Sequence, residues 1–177
     1  MLILSIDTST RTGSVALLRD NQVLGEVSGQ GETPYSTRFF RDLDVLQCRA
    51  QFRMDQIDLF AVASGPGSFT GLRVGLAAVK AWAEVHRKPI AAVSGLEAIA
   101  AQSRACAEDF GAQFEIISPF LDARRGHVFG SSYRWRPANP LRLELMGEES
   151  ILSTEEFLKV VKGSAGSRSA ILVSPTP

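Results

Sequence analysis

Histidine is almost missing from this chain: His86 and His127 are the only two. Neither has a second histidine or a glutamate at helical ligand spacing, so the sequence offers no pair of the kind that holds a catalytic zinc ion. His86 reads as a favourable charge near a helix end. Cysteine is as scarce, with Cys48 and Cys106 alone; both read as packing residues of a protein kept in a reducing compartment. Net charge is absent too, since 19 Lys and Arg balance 19 Asp and Glu. A neutral chain has no overall field to draw it onto RNA or an anionic membrane, so any RNA contact must be local or brought by a partner. No apolar run reaches the roughly 18 residues of a membrane span, and "MLILSI" meets Asp7 too early, with no basic stretch before it, to be a secretory signal. The expectation is a cytoplasmic protein with no membrane partner. No G-x-S-x-G elbow is present, and Ser64 and Ser68 have no base nearby in sequence, which leaves hydrolase chemistry unsupported.

What is present is the composition of a folded protein, 45% hydrophobic and 21% charged over 177 residues, enough for one core or two small lobes. Alternation predicts strands over Leu2 to Ile6, Ser14 to Arg19 and Gln22 to Ser28, with Asp20 and Asn21 turning the last pair. Thr33 and Pro34 predict a helix start, and Phe39, Leu43, Leu46 and Ala50 its apolar stripe. "IDLFAVAS", a helix over Phe69 to His86 and "IAAV" make a βαβ unit. Ser94 with Glu97 boxes a helix to about Ala107, and Ser153 with Glu156 boxes another that ends at Gly163. Strands are predicted over Phe114 to Leu121, Val128 to Tyr133, "LRLELM" and "AILV".

The stretch "ASGPGSFTGLRVG" sets Gly65, Gly67, Gly71 and Gly75 close together. Its G-x-G-x-x-x-G spacing misses the dinucleotide fingerprint by one residue, and no Lys followed by Ser or Thr makes it a P-loop. A loop running into a helix N-terminus can still offer N–H groups to an anion. The other reading is that the glycines admit a tight turn and close helix contact. "LILSIDTSTRTGSVALL" and "SPFLDARRGHVFGSSY" both run strand, Asp, turn with glycine, strand. If they are copies of one unit, Asp7 and Asp122 could flank a magnesium nucleotide, ATP or ADP, with Ser9, Gly65 and Gly67 as further nucleotide-binding candidates. Lone aspartates at strand ends are also common turn formers. Arg124, Arg125, Arg134, Arg136 and Arg142 are either a phosphate contact or a solvated face.

On the helix over 69–86, Gly71, Gly75, Ala78 and Trp82 share one face and Leu72, Leu76, Val79 and Ala83 the next, while Arg73, Lys80, Glu84 and Arg87 form a narrow polar stripe. A helix apolar on two faces either sits between layers or offers a face to another chain. The candidate partner interface is therefore Phe39, Phe40, Leu43, Leu46, Gly71, Leu72, Gly75, Leu76, Val79 and Trp82, with the glycines letting a partner backbone approach.

Three segments, "ILSIDTSTRTGSVALL", "SGPGSFTGLRVGLAAVKAWA" and "LDARRGHVF", look like the bacterial TsaB (YeaZ) proteins of tRNA threonylcarbamoyladenosine biosynthesis. The resemblance spans about Met1 to Arg134 and is strongest over Ser64 to Ala81. It implies an α/β protein of the actin-like, sugar-kinase, Hsp70 (ASKHA) superfold: two lobes of mixed sheet with helices, at 1–107 and 108–177, the second shortened. It implies a subunit with no catalytic or metal-binding residues of its own that activates a TsaD-type catalytic paralogue, the enzyme that modifies adenosine 37 of tRNAs reading codons that begin with A. Pairing with that paralogue, or with a second copy when alone, would use helices matching about Tyr35 to Gln51 and Phe69 to His86. A TsaE-type ATPase would join the assembly, and tRNA would be met only indirectly. The glycine loop then shapes the entry to an interface helix, with any nucleotide role secondary. Members often carry His-Ser or His-Thr where this chain has Tyr35-Ser36, a departure at the edge of the expected interface. The alternative is a small Mg-ATP-binding ATPase or phosphotransferase using Asp7 and Asp122.

Overall fold

A computed structural model describes residues 1–29, 34–109, 114–135 and 143–175. The chain divides into two units, Met1–Ser94 and Gly95–Pro177.

In the first unit the alternation of "LILSID" buries Leu2, Leu4 and Ile6 on one face of β1 (Leu2–Asp7). That strand pairs antiparallel with β2 (Ser14–Arg19), which pairs antiparallel with β3 (Gln22–Ser28). On its other edge β1 pairs parallel with β4 (Leu59–Gly65), and β4 pairs parallel with β5 (Ile90–Ser94). The sheet order is β3-β2-β1-β4-β5. Helix α1 (Tyr35–Ala50) packs on β2 and β3, and α2 (Phe69–His86), the crossover between the parallel strands, packs mainly on β4. The α1 stripe Phe39, Leu43 and Leu46 meets Leu4, Ile6, Leu17, Phe60, Val79 and Ala83 in one core. Pro34 stands just before the helix as its cap residue; Thr33 lies outside the described residues.

The second unit begins with α3 (Gly95–Asp109), whose Leu96 and Ala100 are buried with Ile117 and Tyr133. That packing assigns α3 to this unit, whereas the sequence boundary at 107 placed it with the first. Strand β6 (Ile116–Arg124) pairs through its second half with β7 (His127–Gly130) and through its first half with β8 (Tyr133–Trp135). The single strand expected over Val128 to Tyr133 is thus interrupted at Ser131 and Ser132, both buried, between the part that pairs with the second half of β6 and the part that pairs with its first half. Strand β9 (Leu143–Leu145) pairs with β8, and β10 (Ser150–Ser153), which periodicity did not reveal, pairs with β7. Ser153 and Glu156 form the expected capping box of α4 (Thr154–Ala165), whose C-cap is Gly166, three residues beyond the expected Gly163. Strand β11 (Ala170–Val173) pairs parallel with β6. Among the described residues no helix is long and apolar enough to cross a membrane.

Candidate functional site

The glycine loop seats α2 on the end of β1. Ser68 N–H donates to the Ser9 carbonyl at 2.7 Å, and the Thr8 hydroxyl donates to the Gly71 carbonyl at 2.7 Å. Ser68 caps the helix by accepting from Gly71 N–H at 3.3 Å. A Cβ at Gly71 would stand 2.0 Å from the Thr8 carbonyl oxygen, one at Gly75 2.4 Å from the Thr8 hydroxyl, and one at Gly67 2.5 Å from the Ser9 carbonyl oxygen. These glycines let a helix and a strand of the same unit touch. Gly71 and Gly75 are buried there, so the expectation that they admit a partner backbone is corrected. Thr8, 1% exposed, is the residue that sequence reasoning passed over; its neighbour Asp7 drew attention as a ligand, while the hydroxyl beside it carries the contact.

The remaining interface candidates divide in the same way. Phe39, Leu43, Leu46 and Val79 are buried in the first unit's own core, because the α1 stripe and the Val79 face of α2 point at the sheet. Leu72, Leu76 and Trp82 are half-buried, and Phe40 is 52% exposed with its ring edge-on to Trp82 at 6.4 Å. The outward apolar face of α2 is formed by Ala77, Ala81 and Val85, none of them an expected interface residue, flanked by Val74 and Ala78, which pack against the core. Ala77 and Ala81 are exposed, Val74 and Ala78 half-buried, and Val85 is 74% exposed. Arg73, Lys80, Glu84 and Arg87 line its flank as expected, all exposed.

Tyr35 fills the space that Gly13 leaves open, for a Cβ at Gly13 would stand 2.1 Å from the tyrosine ring. It is 1% exposed, an interior residue and not the surface edge expected of it. The Arg38 guanidinium lies 5.0 Å from the ring centre and donates to the carbonyls of Arg11 and Gly29. The Tyr35 hydroxyl has no hydrogen-bond partner among the described residues. Burial first, then the charge of Asp42, pushes the phenol above its ordinary value of 10.0, with Arg38 opposing. The unfolded chain's phenol ionises near its ordinary value, so this contribution to stability is complete below that pH and is lost as pH rises above it. Tyr35→Phe removes an unpaired buried hydroxyl, and a gain of about 1 kcal/mol at pH 8 is expected. Urea midpoints at pH 8 and 10.5 check both effects: the variant should lose less than the parent across that interval.

Asp7 and Asp122 make the same local turn in their separate units. Asp7 accepts from Ser9 N–H at 2.7 Å, and Asp122 from Arg124 N–H at 2.7 Å. Ser9 is buried with the half-buried Gly67 against its carbonyl, while Gly65, also half-buried, faces Leu72. Arg124 and Arg125 are exposed and Arg134 is half-buried; Arg136 and Arg142 lie outside the described residues. Cys48 is exposed on α1 and is not the packing residue expected.

The family model described as "TsaD: tRNA N6-adenosine threonylcarbamoyltransferase" matches residues 36–168. The tRNA threonylcarbamoyladenosine biosynthesis protein TsaB of Bacillus subtilis is 33% identical over 92% of this chain and 66% of its own length. The protein of the same description from Haemophilus influenzae is 29% identical over 77% of this chain and 61% of its own length. The chain therefore spans less than two thirds of the length of these relatives. Among solved structures, YeaZ from Pseudomonas aeruginosa is similar with a TM-score of 0.72 and 27% identity, over 87% of this chain and 68% of that one.

Proposed function

The chain belongs to the TsaB (YeaZ) family, within the group described by the tRNA N6-adenosine threonylcarbamoyltransferase model, and from that premise we propose that it takes part in making threonylcarbamoyladenosine on tRNA as a scaffold subunit. In this reading it works in the cytoplasm, performs no transfer itself, and activates a TsaD-type catalytic paralogue by holding it against α1 and α2. The observation that supports this most is the outer face of α2, where Ala77, Ala81 and Val85 are exposed while the helix's other apolar face is already spent on the core. An apolar stripe of small side chains lets a partner helix lie close, and burying it on association is favourable. A second copy would meet the same face when the paralogue is absent, and a TsaE-type ATPase would join the completed pair.

Light scattering on a sizing column, with the chain alone and then mixed with the catalytic paralogue, tests the reading. A stable heteromer supports it, and two species that elute independently refute it. The alternative, a Mg-ATP enzyme built on Asp7 and Asp122, predicts micromolar heats of binding with turnover in calorimetry. Both carboxylates already accept a backbone N–H two residues on, which favours turn formation over ligation for each of them.

A further inference from the structure

The hairpin tip joining β6 to β7 is built from residues that its backbone does not favour. Arg124, Arg125 and Gly126 have φ of 68°, 55° and 75° in succession. The ladder pairs Arg124 with His127, leaving Arg125 and Gly126 as a two-residue turn, and its register shifts between Asp122 and Arg124. A two-residue turn with both φ positive prefers Asn-Gly or Asp-Gly, and a bulge residue in the left-handed region prefers glycine. In the corresponding turn between β2 and β3 only Asp20 is left-handed, at φ 53°, and its carboxylate is paired to the N-terminal ammonium at 2.6 Å. The second tip instead holds two adjacent arginines in the left-handed region, where long side chains cost of order 1 kcal/mol each.

Among the described residues of the unit, nothing uses those guanidinium groups. Both arginines are exposed, and among the described residues neither has a hydrogen-bonded or ion-paired side-chain partner. The carboxylates around them are occupied by other groups: Asp122 accepts from Arg124 N–H, and Glu156 accepts from the Ser153 N–H at 3.0 Å and hydroxyl at 2.7 Å. Glu155, exposed at the start of α4, adds a negative charge on that side. Thr154 N–H donates to the Gly126 carbonyl at 3.4 Å, and His127 Nδ1 lies 3.1 Å from the Arg125 carbonyl oxygen, so the tip is braced. A braced tip presenting two planar, permanently charged forks suits bidentate contact with phosphate oxygens. Its residues 124–127 are all exposed, which fits the surface of a polymer backbone and not the enclosure that holds a small nucleotide.

We propose that the β6–β7 tip is a contact for the RNA phosphodiester backbone, made by Arg124 and Arg125. It goes beyond the scaffold reading, in which tRNA is met through the partner, and rests on that reading only for the choice of RNA. In a chain with no net charge this is the local contact that RNA binding requires.

Fluorescence anisotropy with an unmodified tRNA transcript, on the full chain alone and mixed with the catalytic paralogue, tests it through the double variant Arg124→Asn and Arg125→Asn. Asparagine tolerates the left-handed region, so the melting temperature should hold or rise. Binding should weaken about tenfold, and the slope of log affinity against log salt should flatten by roughly 1 to 2. The double lysine variant should restore the salt slope but only part of the affinity, since an ammonium keeps the charge and not the two-pronged contact. Unchanged affinity and slope in the asparagine variant would overturn the proposal, as would a wild type that binds no tRNA in either setting. Equal loss of ATP or inorganic phosphate binding would overturn it in favour of a small ligand. A wild type that ignores the paralogue yet loses RNA on the double substitution would sink the scaffold reading and leave this contact standing.

Discussion

Gly71→Ala is expected to lower the stability of the first unit by about 3 kcal/mol, at the upper end for overpacking a tight contact. The added Cβ would stand 2.0 Å from a backbone oxygen, that of Thr8, and 3.1 Å from its carbonyl carbon. A flexible side chain could swing aside, but a strand end cannot, so α2 must lift. Lifting it strains the Thr8 to Gly71 and Ser68 to Ser9 hydrogen bonds together. In open space the same change would gain up to about 1 kcal/mol of helix propensity, and Gly163 of α4, with nothing among the described residues within 4 Å of its added Cβ, is the control for that sign. Trp82 lies in the first unit and Trp135 in the second, so urea unfolding followed by fluorescence in a Trp135→Phe background reads the right unit. The midpoint should fall by roughly 1 to 2 M for a domain of this size. A neutral Gly71→Ala would mean that α2 does not rest on Thr8.

Ala81→Arg should separate assembly from folding. Ala81 is exposed on the outer face of α2, so the isolated chain should melt as the parent does. At a helix contact the guanidinium would have to be buried without a partner, and binding of the proposed catalytic partner should fall by about 100-fold, some 2.7 kcal/mol. Gly75→Arg, which helical spacing alone recommends for the same purpose, would be a poor test: its Cβ would strike the Thr8 hydroxyl at 2.4 Å, and lost assembly would then report a damaged fold. If Ala81→Arg assembles like the parent, the partner face is not on α2.

The difference between Ala81 and Gly75 shows how far the sequence could be read. Periodicity located α2 and found apolar residues on two of its faces, but spacing carries no information about which face meets the sheet. That was decided by Thr8, more than sixty residues away, whose hydroxyl and carbonyl fit only against glycine. The same limit applies to Phe39 and Phe40, adjacent in sequence, one fully buried and one half in solvent. Local chemistry was legible where it acts locally: the β1 to β3 meander, the Ser153 and Glu156 capping box, and the turn-forming aspartates were all written in neighbouring residues. Strand β10 and the break at Ser131 and Ser132 depend on which strand lies alongside, and no period in the sequence encodes that. The left-handed arginines were visible as a charged cluster, while their backbone cost was not.

The central place of β1 in its sheet also orders events during synthesis. This strand leaves the ribosome before its sheet partners and finds β2 and β3 within a few residues, yet its other edge pairs with β4, beginning at Leu59. At about 5 to 20 residues per second that edge waits several seconds, with backbone groups and the apolar side chains Leu4 and Ile6 uncovered. An open strand edge is a template for pairing with other chains. The first unit therefore passes through a period of vulnerability that closes only when β4 arrives, and the rate at which nascent chains reach Gly65 bears directly on how much of the protein is recovered in its native form.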